Sequence, residues 1–174
     1  AAEQNIRYVA SAIATLKYFS NLVKTHKNAH EFHPGILSKT INVLKDLIYF
    51  VHKVDAKTIE SSDPITFEGI TVASKQRLLK DFRVIEILTE ILYYPFEMYF
   101  FTLKNIDNLS FKTIFQCCYR LIKHVIKEYR PNEIYASQWL EFYMDQAMRS
   151  DAQNDIKAEA TLIELIDNNK KILN

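Results

Sequence analysis

Two groups of cations stand out in a chain whose formal net charge is only +1. Residues 75–83 carry Lys75, Arg77, Lys80 and Arg83 against Asp81 alone, and residues 112–130 carry Lys112, Arg120, Lys123, Lys127 and Arg130 against Glu128 alone. On a helical wheel of about 100° per residue, Arg77 and Lys80 fall within roughly 60° of one another while Lys75 points away. A guanidinium fork and an ammonium on one face suit the oxygens of a phosphorylated ligand. A solvated helix face accounts for the same pattern. The second group ends at Tyr129-Arg130, where Pro131 disfavours helical geometry at Arg130 and holds it off the helix end. Arg130 is open to two readings, anion binding and complementation of the negative end of the helix dipole. Tyr129 falls on the apolar stripe, with only its hydroxyl needing to reach outward. The acids lie elsewhere, eight of them between 133 and 167 against Arg149 and Lys157. If the two basic helices pack together, the fold presents one cationic edge suited to a compact anion.

Other constellations carry less. His26, His30 and His33 have helical spacing, but the stretch borders Pro34-Gly35 and no carboxylate or cysteine pattern completes a metal site, so none is expected. Cys117 and Cys118 are adjacent, which is too strained for an ordinary disulfide, and they read as buried small hydrophobes in a reducing compartment. Phosphate-binding glycine loops, nucleophile elbows and zinc-protease motifs are all lacking, which argues against an enzyme. Near-neutral charge and the lack of a reading module argue against nucleic acid.

The elements that must position these residues are helical. Two glycines and four prolines in 174 residues are too few for a many-stranded protein, and that length can bury roughly two-thirds of its unfolded surface in a core. Ile6, Val9, Ile13, Leu16, Phe19 and Val23 mark a helix over 3–25, and Leu37, Ile41, Leu44, Ile48 and Val51 mark one over 36–53; the two should form an antiparallel hairpin. Residues 54–72 read as a long loop or linker. Ser74 is expected to cap a helix to about 94, broken near 82 and closed by Pro95. An irregular stretch over 96–109 leads to Ser110 as cap of a helix over 111–129, with Phe111, Ile114, Phe115, Cys118, Ile122, Val125, Ile126 and Tyr129 inward. Another helix follows Pro131 to about 148, and Asn154 or Asp155 opens one to about 167. The expectation is an all-α, armadillo-like stack of antiparallel helix pairs, with a compact bundle as the competing fold. No stretch reaches the ~18 apolar residues that span a membrane. The abrupt start, and an end at "NNKKILN" that reads as the opening of a further helix, suggest one helical domain over 1–174 cut from a larger protein.

Several segments together resemble a known family. "VLKDLIYFV" (43–51), "KQRLLKDFRVIEILTEILYYPF" (75–96), "CCYRLIKHVIKEYRPNEIYA" (117–136) and "NDIKAEATLIELIDNNKKIL" (154–173) are similar, in order, to the first helical domain of inositol trisphosphate and ryanodine receptors, more so to the former. The resemblance implies an armadillo-like half of a ligand-binding core that clamps inositol trisphosphate with a neighbouring β-trefoil. The whole would be a homotetrameric calcium-release channel, with this part on the cytosolic face of the endoplasmic reticulum or another calcium store. Carried over residue by residue, the family's phosphate contacts fall on Arg77, Lys80, Tyr129 and Arg130. Two further basic positions of the family are Ala73 and Pro131 here. Each lost charge-assisted contact removes on the order of 1.5–3 kcal/mol, roughly ten- to a hundredfold in affinity. Lys75, Lys127 and Arg83 are the candidates to compensate. The alternative implication is an interaction scaffold that keeps the fold and has lost the ligand.

Overall fold

Hydrophobic periodicity decides most of the helices. In a computed structural model, which describes residues 2–168, α1 (Ala2–Thr25) buries Val9, Ile13, Leu16, Phe19 and Val23 on one face. Ile6 is 47% exposed although it lies only about 20° from buried Ile13 on the wheel, since it stands in the first turns of α1, ahead of the buried stripe that begins at Val9. His33 caps α2 (Pro34–Phe50), its Nδ1 accepting from the Gly35 amide at 3.0 Å. The rings of Tyr8 and Phe50 meet at 4.9 Å, so the start of α1 lies beside the end of α2, as an antiparallel hairpin requires. The second helix stops short of 53 because His52–Lys53 (β1) pair antiparallel with Ile70–Thr71 (β2).

The stretch 54–72 is therefore not a linker. It holds α3 (Ala56–Ser61), capped by Asp55, whose Oδ1 accepts from Thr58 N at 2.8 Å, and it returns Phe67 to the core before β2. Next come α4 (Ala73–Asp81) and α5 (Val84–Glu97), separated near residue 82 as expected, with Arg83 in the left-handed region at φ 66°. Two sequence expectations fail here. Val72, not Ser74, precedes the first turn, and Ser74 lies within it. Pro95 sits inside α5 rather than closing it. Its absent donor costs one helical bond, while the end of the helix is tied by Met98 N to Tyr94 O and Phe100 N to Pro95 O, each 2.8 Å.

The longest buried stripe belongs to α6 (Leu109–Ile126), which packs against α2, α5 and α9 (Ala158–Asn168). Its cap is Asn108 rather than Ser110, with Oδ1 accepting from Phe111 N at 3.0 Å. The helix ends at Ile126, so Tyr129 is only half-buried in the turn that follows. The helix expected after Pro131 is two, α7 (Arg130–Ala136) and α8 (Leu140–Arg149), divided by a 3-10 turn where Ser137 Oγ donates to Ile134 O at 2.6 Å. α9 opens at Ala158, later than expected, because Asn154 is occupied in holding Lys104 O (2.8 Å) and Ile106 N (3.2 Å). Of the further helix anticipated at 168–174, residues 169–174 lie outside the described residues. The result is all-α, stacked helix pairs around one apolar core that runs from Val9 to Leu165 and includes both cysteines.

Candidate anion-binding edge

Two buried amides bring α4 to the corner between α6 and α7. Gln76 is 2% exposed, and its Nε2 donates to His124 O at 2.9 Å and Lys127 O at 2.8 Å. Asn132 is fully buried, and its Nδ2 donates to Gln76 O at 3.0 Å and Val125 O at 2.9 Å. The carbonyls of the end of α6 receive from side chains what a continuing helix would have given them. The turn itself, Lys127 to Tyr129, uses a left-handed Glu128 at φ 54°.

The four candidate residues flank these amides. Arg77 follows Gln76 on the exposed side of α4, its Nε 3.9 Å from Asp81. Lys80, one turn on, places its ammonium 5.1 Å from the centre of the Tyr135 ring on α7. Tyr129 precedes α7, and Arg130 is that helix's first residue, with Nη1 3.8 Å from Glu133. Arg130 therefore stands at a helix start, which removes the reading in which it complements the negative end of a dipole. Glu133 is almost wholly buried, and burial raises its pKa although the Arg130 charge pulls it down. A hollow of about 620 Å³ walled by Phe96, Tyr99, Leu103 and Met148 includes none of the four. Neither does one of about 470 Å³ walled by Tyr8, Asp46, Phe50 and Lys75. None of the four lines either of these hollows.

Arg120 and Lys123 of α6, and Lys127 just past its end, are engaged by a carboxylate. Glu68 takes Arg120 Nη2 at 3.1 Å and Lys123 Nζ at 2.7 Å on one oxygen and Lys127 Nζ at 3.2 Å on the other. Burial pushes the Glu68 carboxyl up, but the hydrogen bonds and charges of Lys123, Arg120 and Lys127 outweigh it and bring it down to about 2. Behind the clasp runs a buried polar chain. The carbonyl of Ile48 can only accept, so His52 Nδ1 donates to it at 2.6 Å and leaves Nε2 to accept from His124 Nδ1 at 3.2 Å. His124 Nε2 then faces Arg120 Nη2 at 3.4 Å. Burial holds both imidazoles below the usual range, and the His52 and Arg120 charges help bring His124 down to about 3.

Residues 41–174 match the family model of the RIH domain, the helical domain shared by ryanodine and inositol trisphosphate receptors. The chain belongs to this family. It is a helical domain of the calcium-release channel kind. None of its helices among the described residues is long and apolar enough to cross a membrane.

In this RIH domain the three cations that could replace Ala73 and Pro131 are engaged elsewhere. Lys75 lies 4.8 Å from the Phe50 ring, Lys127 is held by Glu68, and Arg83 pairs with Glu86. Ala73 is exposed at the start of α4, and Pro131 is exposed in the first turn of α7. The histidine triplet serves the connection between α1 and α2. His33 is a cap, His26 packs on Phe32 at 4.7 Å, and His30 is exposed. Both cysteines are fully buried and unpaired, and burial pushes the Cys117 thiol up to about 12. Sequence reasoning missed Glu68, Gln76 and Asn132. Gln76 and Asn132 are polar residues on buried faces, a signal available to a wheel; Glu68 carries none.

Proposed function

We propose that this RIH domain is the helical half of an inositol trisphosphate-binding core in an intracellular calcium-release channel. Arg77, Lys80, Tyr129 and Arg130 would hold phosphate oxygens across the junction of α4 and α7. The observation that carries this reading is the pair of hydrogen bonds that Asn132 Nδ2 donates to Gln76 O and Val125 O. It sets the residue before Arg77 against the helix that Arg130 opens, which supports a shared edge for cations of separate segments. Exposed cations on a low-dielectric surface attract a polyanion at long range, and the ligand favours whichever clamp state it contacts best. The domain is read as one unit of a longer, homotetrameric protein, closing on a neighbouring β-trefoil at the cytosolic face of a calcium store.

A second reading is favoured by Ala73, Pro131 and the engaged side chains of Lys75, Lys127 and Arg83: a domain kept for contacts within the channel. Calorimetric titration of inositol trisphosphate separates the two. It is made with the chain alone and joined to the β-trefoil that the family resemblance places before it, at two salt concentrations. Saturable, salt-sensitive binding lost in Arg77→Ala/Lys80→Ala/Arg130→Ala supports the ligand site. A folded, unmutated protein that takes up no ligand supports the scaffold.

A further inference from the structure

Arg120 and Lys123 on α6, and Lys127 at the cap that follows its last residue, stand at i, i+3 and i+7 and meet a single carboxylate. The donors outnumber the oxygens. Glu68 Oε1 serves both Arg120 Nη2 and Lys123, Oε2 serves Lys127, and Arg120 Nε is buried with no partner. The charges are also unequal, with three cations facing one anion. The Glu68 side chain is 48% exposed and that of Arg120 only 7%, so the carboxylate lies at the mouth and the guanidinium behind it. Phe67 O, which accepts from Arg120 Nη2 at 2.8 Å, and His124 keep the guanidinium in place independently of Glu68.

We propose that this cluster is an oxyanion site for the phosphate group of a small soluble ligand, with Glu68 as an internal plug that the phosphate displaces. A phosphate brings as many as four oxygens and close to two negative charges. It can serve both nitrogens of the Arg120 fork and both ammoniums, and it offsets more of the excess charge than a carboxylate does. A carboxylate has too few oxygens and half the charge. The exchange involves only hydrogen bonds and ion pairs, and the Glu68 carboxylate moves into water. The site is separate from the edge of Arg77, Lys80 and Arg130 and does not rest on the reading given to that edge.

The test uses inorganic phosphate as probe, with acetate at equal ionic strength as comparison, followed by NMR of the side-chain carboxyl of Glu68. Phosphate should shift that resonance in the unmutated chain and acetate should not. Glu68→Gln, which removes the competing charge in the same shape, should bind phosphate about tenfold or more tightly. Lys123→Gln in that background should weaken binding again. Equal affinity in the unmutated chain and folded Glu68→Gln, or a response to phosphate no greater than to acetate, would show the clasp to be structural only. If Glu68→Gln does not fold, the resonance of the unmutated chain decides, and a signal unmoved by phosphate overturns the proposal. Arg77→Ala/Lys80→Ala/Arg130→Ala should leave phosphate affinity unchanged; its loss there would place the phosphate on the other edge.

Discussion

Asn132→Ala should loosen the corner on which the candidate edge depends. The side chain is fully buried, and its Nδ2 makes two hydrogen bonds, to Gln76 O and Val125 O, at 3.0 and 2.9 Å. Two neutral bonds are worth about 1 kcal/mol each, and the vacated space and bared carbonyls add on the order of 1 kcal/mol more. One term opposes these. Asn132 Oδ1 is itself buried without a partner, and its removal returns part of the cost. The net expectation is a loss of about 2–3 kcal/mol, which in a chain of this size lowers the melting temperature by roughly 5–10 °C. Urea unfolding measures it directly, with the midpoint moving and the slope unchanged. Gln76→Ala acts on the same corner, since its Nε2 holds His124 O and Lys127 O. Once either amide is gone the other has less to hold, so the double variant should cost about 0.5–1.5 kcal/mol less than the sum of the two. A loss below about 0.5 kcal/mol for Asn132→Ala, or strict additivity, would refute the view that the amides act as one joint.

Acid should destabilise the protein through its buried imidazoles. His52 and His124 have folded pKa values below the ordinary 6.5, His124 at about 3, so the unfolded chain binds more protons. Stability is complete above 6.5 and falls as the pH drops from there towards 3, with Glu68 adding to the fall between 4.5 and about 2. Histidine NMR should find the His124 ring neutral in the folded chain at about pH 5 and the His52 ring titrating below its ordinary value, each neutral ring carrying the proton on Nδ1; a ring titrating at 6.5 or above would contradict the assigned chain. Gly69→Ala places a Cβ 2.8 Å from Phe67 Cζ, so the ring must leave its seat against His52, and denaturant unfolding should register about 1–3 kcal/mol of lost stability. Cys117 and Cys118 should react with a thiol reagent only as fast as the protein opens, and rapid labelling of the native state would contradict their full burial.

What was legible in the sequence follows a division by range. Val9, Ile13, Leu16 and Val23, or Phe111, Ile114, Phe115 and Cys118, declare their helices because the period is local and the core rewards one face. The break near 82 was legible for the same reason. Caps were misplaced by two residues: Asn108 takes the place of Ser110, two capping types standing close together, while Val72 precedes α4 with no side-chain cap and with its amide held by Val51 O. Pro95 and Pro131 each punctuate differently from expectation, one tolerated within a last turn and the other in the first turn of a helix, which shifts Arg130 from one helix's end to the next one's start. Least legible was Glu68, whose partners lie 52, 55 and 59 residues away. A lone acid in a stretch without periodicity gave no reason to expect three cations around it. The charge pattern and the resemblance both pointed to Arg77, Lys80, Tyr129 and Arg130 as candidates, but the amides that join α4 to the corner came from the structure.

The polar chain from Ile48 through His52 and His124 to Arg120 has one more effect. Apolar side chains are tolerant neighbours, and two greasy helices can slide past each other by a turn, about 5.4 Å, and still find contacts. Directional bonds do not permit that. A slip of α6 along α2 would leave two ring nitrogens, His52 Nε2 and His124 Nδ1, buried without partners and would part Arg120 from Phe67 O, and such groups are costly when bared. The chain thus works as a vernier, fixing the axial setting of the central helix and with it the height at which Gln76 and Asn132 meet the corner.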